Sequence, residues 1–117
     1  MEPRSLIRAA IWLLSAAAVL GSAMAALRFM KDRHPPALVS KAHGFLTCSA
    51  IALLVFGWAT GGLPKFAALA LLLLLVAAAG GLTLSQGWWR LKPDQVELLV
   101  FAHLSVAAAG YLLLLAA

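Results

Sequence analysis

Charged residues are scarce in this chain. Only 11% of its 117 residues are charged and 64% are hydrophobic, whereas about a quarter of the residues of a typical soluble domain carry a charge. The polar residues cluster in short segments between apolar runs of about 20 residues, the length that spans the hydrocarbon core of a bilayer. This pattern excludes a soluble domain and indicates an integral membrane protein.

Cysteine and acidic residues are also rare. A single cysteine, Cys48, excludes a disulfide framework or a cysteine-rich metal centre within one chain. The first apolar run contains no acidic residue, so it lacks the deep carboxylate on which small four-span multidrug exporters depend. Because no nucleophile–base set, carboxylate pair or phosphate-binding loop is present, hydrolytic and transferase chemistry have no support. At most, the chain is expected to be an electron-transfer protein.

Four apolar runs, separated by segments that contain glycine and proline, predict four membrane-spanning helices. The spans are expected at approximately 6–29, 37–59, 65–85 and 94–117. Because the three connecting segments are short, consecutive helices must be antiparallel neighbours. The predicted fold is an all-α, up-down bundle of four transmembrane helices that forms a single domain over residues 1–117.

The distribution of basic residues predicts the orientation in the membrane. An even number of spans puts both termini on one side, which we call side A, and the loops after the first and third spans on the other, side B. Side A carries three basic residues and side B carries six, namely Arg28, Lys31, Arg33, Lys41, Arg90 and Lys92. Since lysine and arginine are in excess on cytoplasmic loops, side B is expected to be cytoplasmic and both termini periplasmic, in a bacterial inner membrane. No basic domain for nucleic acid is present.

Two histidines lie inside the predicted spans. His43 is seven residues past Pro36, His103 is ten residues past Pro93, and both spans begin at side B. At 1.5 Å per residue these positions correspond to depths of about 10 and about 15 Å, so the two imidazoles are expected in the same leaflet. Ionisable side chains at such depths are unfavourable in lipid and often mark functional sites.

The sequence also indicates a tandem repeat of two helical hairpins. The segments AHGFLTCSAIALL and AHLSVAAAGYLLL, which contain the two histidines, lie 60 residues apart. Hairpins repeated in this order are related by an axis along the membrane normal, which places the second and fourth spans diagonally across the bundle. With neighbouring helices 8–10 Å apart, the diagonal is about 12–14 Å. Two imidazoles that point inward across this distance leave room for a metal between them and for little else.

Small residues surround the histidines on every predicted helix. They share a helix face with each histidine or lie at comparable depth on the first and third spans: Ala17, Gly21, Ala25, Thr47, Ala50, Ala77, Gly81, Ala107 and Gly110. Four helices that carry small side chains at the same depth leave a slot for a flat ligand. Haem b is such a ligand, and neutral imidazoles are common ligands of its iron. We therefore expect His43 and His103 to ligate haem iron, with Arg33 and Arg90, beside Lys41 and Lys92, near the haem carboxylates.

This arrangement resembles a minimal b-type cytochrome and is similar in architecture to the membrane four-helix haem proteins of the cytochrome b561 class. The resemblance is carried by His43 and His103 on two helices that enter from one face, with Gly21, Gly44 and Gly81 nearby. It covers the bundle only. It implies binding of one haem and a redox or haem-handling role in the membrane.

Two other functions are consistent with the same residues. Histidines in membrane helices also hold neighbouring helices together by hydrogen bonds, and small residues at four-residue spacing are ordinary helix contacts. The chain is then a non-catalytic subunit or assembly factor of a larger membrane complex. A third hypothesis is a small, oligomeric, proton-coupled transporter that uses the histidines as proton acceptors. The expected partners are the lipid bilayer and either a membrane redox partner or a larger complex.

Overall fold

Four α-helices make up most of the described part of the chain, residues 2–31, 33–87 and 90–117, in a computed structural model. The helices are α1 (Pro3–Lys31), α2 (Ala37–Ala59), α3 (Lys65–Gly87) and α4 (Pro93–Ala116). All four are long and apolar enough to cross a membrane. The predicted spans match these helices to within a few residues at the ends, and the predicted all-α four-helix bundle is confirmed.

Proline and glycine set several of the helix boundaries. α2 begins directly after Pro36, and Pro93 occupies the first turn of α4, where a missing N–H leaves no hydrogen bond unmade. The side chain of Gln95 accepts a 3.0 Å hydrogen bond from the backbone N–H of Lys92 and so caps α4. Between α2 and α3 the backbone turns through Gly61, whose φ of 74° glycine adopts without strain. The tight connections keep consecutive helices side by side.

The helices pack as two hairpins. α1 packs closely against α2, and α3 against α4, whereas contacts of α2 with α3 and of α1 with α4 are fewer. α2 and α4 scarcely approach each other and lie on a diagonal, as the repeat predicts. Leu6, Leu54 and Leu114 belong to one buried cluster, which brings the start of α1 and the ends of α2 and α4 together at side A. The four helices therefore alternate in direction.

Positions 60 residues apart are equivalent in the packing of the two hairpins. Leu54 and Leu114 are both 0% exposed, and Leu14 and Leu74 are both 5% exposed. The other buried pairs at this offset are Ile7 and Ala67, Ala10 and Ala70, Ala17 and Ala77, and Ala50 and Gly110. Six pairs of positions are thus buried in both hairpins, as the predicted tandem repeat requires, although Leu6 is 1% exposed and its counterpart Phe66 is 50% exposed.

The buried core lies mainly in the side A half of the bundle. The buried residues of the first three helices lie within 6–17 of α1, 50–57 of α2 and 67–77 of α3. In the side B half of the described residues, only Val96 and Val100 of α4 are buried. The side chains that point inward in that half are otherwise only partly buried. The histidines lie where the closely packed core ends.

Large apolar side chains cover the outside of the bundle. Trp12, Phe45 and Leu98 are more than two-thirds exposed, at 72%, 72% and 71%. Apolar surface of this extent is rare on soluble monomers, whereas lipid tails solvate it readily. The chain is an integral membrane protein whose helices contact the bilayer.

Candidate functional site

The imidazole of His43 is held by α1. Its Nδ1 lies 2.8 Å from the carbonyl oxygen of Ala17. A carbonyl oxygen only accepts hydrogen bonds, so Nδ1 carries the proton and Nε2 of the neutral ring carries the lone pair. Gly21, one turn further along α1, lies against the ring, because a Cβ added there would stand 2.9 Å from Cε1 of His43. A side chain at Gly21 would therefore displace the imidazole.

The imidazole of His103 is held in the same way by α3. Its Nδ1 lies 2.7 Å from the carbonyl oxygen of Ala77. A Cβ added at Gly81 would stand 3.2 Å from Cε1 of this ring. Histidine, carbonyl and glycine each lie 60 residues after their counterparts in the first hairpin. Each hairpin therefore holds one imidazole in the tautomer that leaves a lone pair on Nε2.

The two imidazoles approach each other across the bundle. The ring centroids of His43 and His103 are 6.3 Å apart, and the ring planes are inclined at 72°. Neither Nε2 has a hydrogen-bond partner among the described residues. Every fully buried side-chain nitrogen in that part of the chain has a partner, so each Nε2 must be at least partly accessible. The sequence predicted that the two imidazoles would approach each other, and the structure brings them together.

The chemistry of this pair suits a shared metal. Histidines that ligate metals usually donate their other N–H to a carbonyl or carboxylate, which fixes the ring and makes the ligating nitrogen more basic. A metal about 2 Å from each nitrogen would hold the ring centroids roughly 6 Å apart. The described residues contain no group of three or more His, Cys, Asp and Glu side chains placed to hold a metal ion. A metal held by this pair would take its remaining ligands from outside these residues, as haem iron does from its porphyrin.

The other residues predicted for the site lie at varied distances from the histidines. Gly21 and Gly81 touch the imidazoles, and Ala107 is half-buried one turn after His103. Gly44 does not approach a neighbouring helix, because an added Cβ there would meet no atom within 4 Å. Arg33 and Arg90 are exposed at the side B ends of the helices.

Arg28 is a potential site residue that the sequence-based prediction did not include. It is half-buried, whereas every other lysine and arginine in the described residues is exposed. It follows Gly21 by seven residues and Ala17 by eleven, a spacing that keeps all three on one face of α1. This spacing is the sequence signal that identifies Arg28, since it extends the stripe of residues that face the other helices.

Two contacts join α1 of one hairpin to α4 of the other. Ser15 and Tyr111 are linked by a 2.6 Å hydrogen bond, and Ser15 Oγ donates to the carbonyl oxygen of Ile11 at 2.7 Å. Since a serine hydroxyl has one proton, Tyr111 must be the donor to Ser15. Nearer side B, the rings of Phe29 and Phe101 stack with centroids 5.3 Å apart. The hairpins are thus fastened on both sides of the histidine level.

Comparison with known proteins assigns no family to the chain. No protein-family model matches it, and searches of curated proteins and of solved structures found no match either. The structure establishes a small membrane bundle of four apolar helices. The resemblance to the cytochrome b561 class stays a prediction from the sequence.

Proposed function

We propose that the protein binds one b-type haem between its two hairpins, with His43 and His103 as the axial ligands. The observation that carries this proposal is the matched pair of imidazoles. Each Nδ1 is bound to a carbonyl of the preceding helix, at 2.8 and 2.7 Å, and the ring centroids are 6.3 Å apart. Histidine imidazoles are common protein ligands of haem iron, and this pair would hold the group by one nitrogen from each hairpin.

The small residues around the pair support the proposal of a planar apolar ligand. Gly21, Gly81 and Ala107 carry little or no side chain at the histidine level, and all three are only partly buried. At Gly21 and Gly81 the missing side chain leaves room for the imidazole itself, since an added Cβ would stand 2.9 and 3.2 Å from Cε1 of the ring. The closely packed leucines of the side A half lie directly beyond and would keep water away from one edge of the ligand.

Bound haem would supply one-electron redox chemistry. The chain's own contribution is to fix both imidazoles before the ligand arrives. The carbonyls of Ala17 and Ala77 hold each Nδ1 proton, so that both Nε2 lone pairs are available for ligation. The resulting role is electron transfer or haem handling within the bilayer.

The proposed location is a bacterial inner membrane with side B in the cytoplasm and both termini in the periplasm. The support is the excess of basic residues on side B. The histidines are nearer to side B than to side A, since they lie about 10 and about 15 Å along helices that begin there. A redox partner would therefore approach from side B.

An absorbance measurement tests the proposal. The protein is expressed with ample haem, purified in detergent, and its spectrum recorded oxidised and reduced. We expect a sharp Soret band with low-spin features in the parent, loss of these features in His43→Ala and in His103→Ala, and an almost unchanged spectrum in His34→Ala, because His34 is exposed in the loop between α1 and α2. A parent without chromophore, or unshifted spectra in both single variants, would refute axial ligation. A colourless, well-folded parent would favour a non-catalytic membrane subunit.

A further inference from the structure

Arg28 is the one partly buried basic side chain among the described residues. It lies on the face of α1 that carries Ala17, which binds His43, and Gly21, which touches the His43 ring. A guanidinium is unfavourable in an apolar environment unless a counter-charge or hydrogen-bond acceptors compensate it. An anionic group within reach of the Arg28 guanidinium on the inner side of the bundle would supply that compensation.

The described acidic residues do not lie inside the bundle at this level. Asp94 and Glu97, which are in the first turns of α4 at side B, are both exposed. Lys31, one turn after Arg28, is exposed as well, as expected for a side chain that extends to the membrane surface. Arg28 differs from Lys31 because it shares the helix face of Ala17 and Gly21 and is partly buried.

The distance of Arg28 from the histidines suits a ligand that both would bind. Seven residues of helix separate it from Gly21, which corresponds to about 10 Å toward side B. This is comparable to the distance from the centre of a porphyrin to its carboxylate-bearing edge. Arginine binds carboxylates through two parallel hydrogen bonds, a geometry that lysine does not reproduce.

We infer that Arg28 recognises a carboxylate of the ligand held between His43 and His103, so that the site selects a planar, apolar ligand with an acidic edge directed to side B. This inference rests on the proposed haem-binding function and adds the residue that orients the ligand. Arg28 is a binding residue in this scheme, whereas Arg33 and Arg90 lie outside the bundle.

The experiment compares haem with its dimethyl ester, which has the same iron and macrocycle but no free carboxylate. Both are titrated into the unloaded protein in the same detergent, and the Soret band gives the affinities. In the parent we expect haem to bind more tightly than the ester. Arg28→Gln should weaken haem binding by about tenfold or more, the scale of a charge-assisted hydrogen-bond pair, and leave ester binding unchanged. Arg28→Lys should give an intermediate loss.

Lys31→Gln is the matched control, since it removes one positive charge one turn away from an exposed position. It should leave both affinities close to those of the parent. Equal weakening of haem and ester by Arg28→Gln, or no weakening of either, would overturn the inference, because Arg28 would then serve packing or a lipid headgroup. If Arg28→Gln fails to fold, the ratio of the haem affinity to the ester affinity of the parent protein still tests the inference. Equal affinities of the parent for the two compounds would contradict a carboxylate contact. A parent that binds neither compound would overturn the proposed function together with the inference.

Discussion

His43 and His103 lie 60 residues apart in the chain, yet their ring centroids are only 6.3 Å apart, and each Nδ1 is bound to a carbonyl of the preceding helix. The backbone supplies both fixing contacts, and both are made within a hairpin. Each ring is thus oriented by its own half of the bundle before it meets the other ring. Four predictions follow from this arrangement and from the packing around it.

Gly21→Ala should displace the His43 ring and remove the low-spin haem spectrum. The added methyl group would lie 2.9 Å from Cε1, so the ring must turn away from the carbonyl of Ala17. Gly81→Ala should have a smaller effect, because its methyl group would lie 3.2 Å from Cε1 of His103. The measurement is the Soret band together with thermal unfolding in detergent.

Unfolding of Gly21→Ala should change by about 1 kcal/mol or less, since one lost hydrogen bond is offset by the better helix propensity of alanine. Gly87→Ala is the control, because its methyl group would meet no atom within 4 Å. A larger spectral loss in Gly81→Ala than in Gly21→Ala would contradict the geometry described for the two rings.

Leu54→Ala and Leu114→Ala should destabilise the bundle to a similar extent. The two leucines are equivalent in the repeat and both are 0% exposed, so each truncation leaves a cavity in the same core. We expect losses of about 2–5 kcal/mol in the free energy of unfolding. Leu98→Ala, at a lipid-facing position that is 71% exposed, should change it by about 0.5 kcal/mol or less. Markedly unequal losses at 54 and 114 would show that the hairpins are not equivalent.

Tyr111→Phe and Ser15→Ala should each weaken the contact between the hairpins. Hydrogen bonds between membrane helices contribute about 0.6 kcal/mol on average and up to about 1.7 kcal/mol. The double variant should lose little more than either single variant, because the two hydroxyls share one bond. Ser105→Ala is the control, since Ser105 is exposed and bonds only to its own helix at Phe101. Strictly additive losses in unfolding experiments would argue against the bond.

A reporter fused after Ala117 should be found in the periplasm. The six basic residues of side B against three on side A favour retention of side B in the cytoplasm. A pair of reporters, one that functions only in the periplasm and one only in the cytoplasm, measures this directly. A cytoplasmic C-terminus would move the histidines to the outer leaflet and place any redox partner on the periplasmic face.

The positions of the helices and the pairing of the histidines could be predicted from the sequence. Length and hydropathy specify the spans, and the equal entry side of α2 and α4 places His43 and His103 at similar depth. The partners of the rings could not be predicted, because Ala17 and Ala77 contribute backbone carbonyls that every residue possesses. Gly44 and Gly21 are both glycines near His43 in depth, and only the helix packing shows which one touches a ring.

The extent of the repeat and the position of Arg28 were hidden for different reasons. Alanine and leucine dominate both halves of the chain, so the 60-residue equivalence becomes clear only when burial is compared. In the sequence, Arg28 is one of the six basic residues of side B that predict the topology. Only its partial burial shows that the inward-facing stripe of α1 continues beyond Gly21 as far as Arg28. The Ser15–Tyr111 bond depends on the contact between α1 and α4, which are distant in sequence.

Because each histidine is anchored within its own hairpin, each hairpin can orient its own imidazole as it folds. α1 and α2 can enter the bilayer and fix His43 before α3 and α4 have been synthesised. The second hairpin carries His103 with its own anchor, and the two hairpins share fewer contacts with each other than the helices within each hairpin do. A membrane protein built in this way resembles a dimer of two-helix subunits whose subunits are permanently joined by the turn at Gly61.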